Sequence, residues 1–281
     1  MAAKKISLAL LGESNVGKSH YGAQLLSRVE AERCELRLRE APSDLSAFEE
    51  VRDQLNAGRA GAHTPSGVYK ESLWPVKDSS GNAVDLTWPD YAGEQVRRLI
   101  ETRRISADWL ARVQDADGWI LMVRPSLCKQ DEDIFSRPLG SVGAPRDGEV
   151  VAARRSVQSR IVELLQMLRY ARGLHDRRPP PALGVILSCW DELGLEEGTK
   201  PGDVLAERIP LLAAYVKTRW GIGNSMVFGL SALGTSLSST ESNEAFINRG
   251  PEQHGFVVDA DGKDQGDLTL PIARLAGMAR T

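Results

Sequence analysis

Cysteine is scarce in this chain. Its 281 residues include only Cys34, Cys128 and Cys189, far apart and without a CxxC pair. That spacing excludes a disulfide framework and a thiolate zinc site, and it fits free thiols in a reducing compartment. The four histidines, His20, His63, His175 and His254, do not cluster either. An excess of one charge is also missing. Lys and Arg total 35 against 38 Asp and Glu, a net −3, so the chain as a whole does not attract nucleic acid or anionic lipid, and any basic surface is local. No apolar run approaches the ~20 residues of a membrane span. The opening MAAKKISLALLGES places two lysines before an apolar run. That run, Ile6–Leu11, is shorter than a secretory core, and no small-residue cleavage site follows. Together these absences lead to the expectation of a cytoplasmic protein. Internal repeats and low-complexity segments are absent too.

Ordinary globular composition remains: 42% hydrophobic and 26% charged residues. A chain of this length removes roughly three quarters of its unfolded surface from water. The apolar run at 6–11 reads as a strand buried on both faces of a parallel sheet, 118–125 and 182–188 as further strands, and 225–233 as the last core strand with its following loop. Residues 68–90 read as a hairpin turning at Ser80-Gly81-Asn82, its second strand ending near Trp88 because Pro89 lacks a ladder donor. Helical patterns cover 18–32, 41–57, 95–113, 151–172 and 203–220, and a last helix closes the chain. Alternating strands and helices predict an α/β fold with a mostly parallel sheet of about six strands and one antiparallel hairpin strand. The expected organisation is a single domain over 1–281, with insertions at about 126–150 and 234–268.

Between the first strand and first helix stands Gly12-Glu13-Ser14-Asn15-Val16-Gly17-Lys18-Ser19, which matches GxxxxGK[ST] in its required strand–helix context. Glycines there let successive backbone N–H groups turn into one concave nest, at a helix N-terminus whose dipole favours negative charge. The amides of Ser14, Asn15 and Val16 line that nest. Lys18 is placed to reach the β- and γ-phosphates and the Ser19 hydroxyl to ligate Mg²⁺. His20 follows as a helix residue beneath the nucleotide. At the end of the hairpin's second strand, Asp90-Tyr91-Ala92-Gly93 reads as DxxG. Such an aspartate can hold a magnesium-bound water, and such a glycine N–H can meet a γ-phosphate oxygen.

On these residues the chain resembles the Ras-like, TRAFAC-class P-loop GTPases, whose fold is a three-layer P-loop NTPase sandwich. The resemblance covers about residues 5–235 and implies GTP and GDP as ligands with Mg²⁺. It makes Thr64 the switch I threonine closing on Mg²⁺ and the γ-phosphate, with Ser66 as competitor. It aligns Ser188-Cys189-Trp190-Asp191 with the guanine-reading [NT]KxD, so that Asp191 accepts from the guanine N1 and N2 groups. Cys189 stands where the motif has lysine, and Trp190 is a candidate stacking residue. Ser231-Ala232-Leu233 matches SA[KL], whose backbone contacts guanine O6. More narrowly, the GES-x-x-GKS loop, DYAGE, the altered guanine motif and GFVVDADGK are similar to the bacterial double-GTPase proteins of GTPase-associated conflict systems, which implies a protein partner sensing the switch loops.

One departure bears on chemistry. Where Ras-like enzymes carry a water-orienting glutamine after the DxxG glycine, this chain has Glu94, followed by Gln95. A carboxylate accepts from the attacking water but cannot donate to the phosphate. Arginines 97, 98, 103 and 104 behind that motif, and Arg59 before Thr64, read as a solvated face or as a charge supplied to the γ-phosphate. Three readings stay open: a slow GTPase switch, a nucleotide-binding pseudo-GTPase, and an ATPase or kinase on the same phosphate loop.

Overall fold

The computed structural model describes residues 5–32, 34–61, 70–90, 93–128, 156–173, 180–221 and 223–280. Strands β1 (Ile6–Leu11), β5 (Gly118–Val123), β6 (Ala182–Ser188) and β7 (Ser225–Ser231) form the parallel centre. Strand β4 (Ala83–Asp90) lies parallel to β1 on its other side. Its hairpin partner β3 (Lys70–Lys77) is antiparallel to it.

Alternation along these strands splits the core in two. Ala9 and Leu11, then Trp119, Leu121 and Val123, then Leu183, Val185 and Leu187 face one helical layer. Leu8 and Leu10, then Ile120 and Met122, then Ile186 face the other. The first layer contains α3 (Gly93–Thr102), α4 (Ala107–Asp115), α5 (Val157–Ala171), α6 (Pro201–Arg208) and α7 (Pro210–Trp220). The second contains α1 (Lys18–Glu30), α2 (Ser46–Asn56) and α9 (Leu270–Met278). Every residue of β5 and β6 is buried, as a strand covered by helices on both faces requires.

The sheet has more strands than the sequence pattern predicts. Among the described residues, nine run in the order β2-β3-β4-β1-β5-β6-β7-β8-β9. The additions are short: β2 (Arg37–Leu38) at one edge, β8 (Phe256–Val258) and β9 (Asp264–Gln265) at the other. Segment 234–268, which reads as irregular, thus supplies two antiparallel edge strands and the short helix α8 (Glu244–Arg249). Two expected helices are each a pair. The 95–113 pattern breaks at Arg103, whose φ is +53°, and restarts at Ser106, which caps α4 by accepting the Trp109 N–H. The 203–220 pattern breaks at Pro210, which cannot continue the hydrogen-bond ladder of α6. Strand β4 also runs past Trp88 to Asp90. Pairing with β1 has ended at Thr87, so Pro89, opposite Glu71 of β3, deprives β1 of no donor. Residues 129–150 of the expected insertion lie outside the described ones.

Beneath the first helix, Phe48 meets Trp74 and Trp88 edge-on, with centroids 5.1 and 5.7 Å away, and the two indoles stack at 5.4 Å. Gly22 of α1 lets this group approach: a Cβ there would lie 2.4 Å from Phe48 Cε1. Gly22→Ala is therefore expected to lower unfolding stability by about 1–3 kcal/mol through overpacking. Denaturant unfolding measures it, and an unchanged midpoint contradicts this packing.

Candidate functional site

Because β4, β1, β5, β6 and β7 are parallel, their carboxyl ends reach one edge of the sheet. Ligands of open α/β sheets bind at that edge. The loop from Gly12 to Gly17 leaves β1 there and turns into α1. Asn15 and Gly17 both adopt left-handed backbone, with φ of +65° and +82°. Left-handed residues alternating with right-handed ones aim peptide N–H groups into a concavity that accepts an anion. Gly17 is the N-cap of α1, so no side chain covers the helix start. The Lys18 ammonium donates to the carbonyls of Gly12 and Glu13, at 2.9 and 2.6 Å, and so lies folded over the loop it follows. This arrangement fits a polyphosphate.

Mg²⁺ fits the donor chemistry at the same place. Such an ion keeps several waters and takes one or two protein oxygens beside phosphate oxygens rather than a full protein cage. Ser19 opens α1, and Asp90 ends the neighbouring strand β4. The side chain of Asp90 lies outside the described ones, as do those of Glu94 and Gln95. The backbone places Gly93, Glu94 and Gln95 in the first turn of α3. Thr64 and Ser66 lie outside the described residues. His20 acts on the end of the segment that follows α2: its Nε2 accepts the Gly61 N–H at 3.0 Å, tying Gly61 to α1.

The two loops expected to read the base meet across the edge. Asp191 sits in a 3-10 turn, Trp190–Leu193, directly beyond β6. Its exposed carboxylate accepts the Ser231 hydroxyl at 2.5 Å, and the same Ser231 oxygen accepts the Gly234 N–H at 2.9 Å. The Ser231–Leu233 loop is thus bonded to the carboxylate it is expected to work with. Gly255 backs this loop with φ +88°; a Cβ there would lie 2.4 Å from the Ala232 carbonyl oxygen. Ser188 donates to the Val123 carbonyl at 3.2 Å and ties the ends of β6 and β5. Cys189, itself left-handed, brings Sγ to 3.9 Å from a Cβ built on Gly17. Burial pushes its thiol up to about 11, so it is neutral beside the phosphate loop. Trp190 is not a stacking surface for a base: it is 7% exposed and belongs to the hydrophobic core, with its indole over Gly229.

Ion pairs that sequence reading missed hold these loops. Arg160 of α5 grips Glu13 with both arms, Nε to Oε1 at 2.9 Å and Nη2 to Oε2 at 2.8 Å, with 20% and 14% of the side chains exposed. Arg124, just beyond β5, grips Glu192 at 3.0 and 2.5 Å and donates to the Asn15 carbonyl at 3.1 Å. Their only sequence signal is position: Arg124 follows an apolar strand directly, and Arg160 interrupts the apolar stripe of α5. Of the arginines behind DxxG, Arg97 lines a cavity of about 230 Å³ together with Glu13, Ser14, Cys128 and Arg160. Arg103 instead pairs with Glu163 at 3.1 Å.

A glycine phosphate loop between strand and helix, faced across the sheet edge by an anchored carboxylate, defines a P-loop nucleotide-binding protein of the GTPase type. The family model Double-GTPase 1 matches residues 9–275, and the chain belongs to that family. No curated protein matches it. Among solved structures it is similar to the Arl6 (BBS3) small GTPase of Trypanosoma brucei with bound GppNp, at 11% identity over 98% of each chain and a TM-score of 0.42. Among the described residues, no helix is long and apolar enough to cross a membrane.

Arg160→Ala is expected to cost about 1–2 kcal/mol of unfolding stability, because Glu13 loses a two-armed partner in a partly buried place. Arg160→Lys should recover only part, having no planar fork. Equal unfolding midpoints for all three proteins would show that the pair contributes nothing.

Proposed function

We propose that residues 1–281 act as one GTPase-like unit, binding GTP and GDP with Mg²⁺ and hydrolysing GTP slowly as a switch for a protein partner. The observation that carries the guanine assignment is the Asp191 carboxylate, held by Ser231 on the same sheet edge as the phosphate loop. Two adjacent donors, such as guanine N1–H and N2–H, suit a carboxylate; adenine offers no such pair. The cradle of Ser14–Ser19 binds the phosphates and Lys18 neutralises them. Ser19, Thr64 and Asp90 would hold Mg²⁺, which would neutralise charge on the phosphates. Gly93 contacts the γ-phosphate, and Glu94 or Gln95 orients water. The loops around Thr64 and Gly93 order on GTP and release on GDP, and the partner reads that change. Membership of the double-GTPase family supports a partner from a bacterial conflict system.

Without an arginine at the γ-phosphate, rates in this class are on the order of 10⁻⁴ s⁻¹. Single-turnover phosphate release should therefore be slow but above buffer. The pseudo-GTPase reading, which Glu94 favours, predicts none. The base assignment has its own test. Asp191→Asn is expected to reduce the preference for GTP over ATP by about 10²-fold or more, since a site built for two donors then has a mismatched partner. A competition titration measures this, and an intact preference would remove Asp191 from the base site.

A further inference from the structure

The guanine-reading loop lacks the cation that its motif ordinarily carries. Cys189 occupies that position beside Gly17 and is uncharged at neutral pH. A cation nonetheless reaches the same junction from another strand. We propose that Arg124, delivered from the end of β5, is the positioning residue of the base site: its guanidinium clamps the phosphate loop to the Asp191 loop and replaces the missing lysine. The proposal rests on the guanine-nucleotide reading above.

The geometry is specific to a planar fork. Two arms bond both carboxylate oxygens of Glu192, and the third bonds the carbonyl of Asn15, a left-handed residue of the phosphate loop. An ammonium on a flexible stem at position 124 cannot satisfy both loops in that plane. Ser126 adds a donor to Glu192 Oε2 at 3.0 Å, so the carboxylate stays aligned. Glu192 adjoins Asp191, whose other flank is fixed by Ser231. The turn that carries the reading carboxylate is therefore held at Asp191 by Ser231 and at Glu192 by Arg124, which continues to the phosphate loop. Burial on its own would lower the Arg124 pKa, but the hydrogen-bonded Glu192, with Asp191 nearby, raises it instead. The charge is permanent and works in a partly buried place, 28% exposed.

GDP and inosine diphosphate, which lacks the 2-amino group, serve as probes against the purified full chain. Arg124→Ala is expected to weaken GDP about ten- to a hundredfold, as for loss of charge-assisted hydrogen bonds, and to shrink the GDP-over-IDP ratio. Adding Cys189→Lys to that variant should restore most of the affinity. The proposal is overturned if Arg124→Ala binds GDP within twofold of the unaltered protein, or if its loss is equal for both nucleotides and Cys189→Lys leaves it unchanged. Should Arg124→Ala fail to fold, Arg124→Lys decides: a several-fold loss at an unchanged melting temperature supports the clamp, and full affinity overturns it. An unaltered protein that takes no GDP defeats the underlying reading as well, whereas normal GDP binding with indifferent Arg124 variants defeats only the clamp.

Discussion

The parallel register of β1 with β4 and β5, extended through β6 and β7, is the constraint on which the site depends. It sends the phosphate loop, the end of β4, Arg124, Asp191 and Ser231 to one edge although they are far apart in sequence. That register is set by burial on both faces: β5 and β6 offer no polar face to water, so a one-residue slip would push each core set toward the wrong helical layer.

At that edge, the polar ties fold one loop on itself and join the rest to their neighbours. Lys18 folds the phosphate loop on itself. Arg160 ties that loop to α5 through Glu13, and Arg124 ties it to the Trp190–Leu193 turn. Ser231 ties that turn to the last parallel strand. The 234–268 segment completes the set by backing Ala232 with Gly255. A segment that reads as a loop thus belongs to the sheet that positions the site.

What was legible in sequence was local or periodic. The glycines, lysine and serine of 12–19 form a pattern within eight residues, and the four apolar strands advertise their burial. The edge strands were not legible. β2 and β9 have two residues each, too few for any period, and they exist through the neighbours they pair with. The break at Arg103 was missed because a single left-handed residue leaves the surrounding helical pattern intact. Trp190 illustrates the opposite failure: beside a motif aspartate it suggested a base contact, but its volume is absorbed by the core over Gly229. Arg124 and Arg160 were invisible as site residues because their partners, Glu192 and Glu13, are brought near only by the tertiary fold.

The central claim is that this edge is a cradle for a guanine nucleotide. Calorimetric titration of the nucleotide-free protein with Mg·GDP and, separately, Mg·ADP tests it most directly. The account predicts one GDP site per chain, with ADP at least about a hundredfold weaker, since only guanine presents both donors to the Asp191 carboxylate. Equal affinities, or tighter binding of ADP, would contradict it.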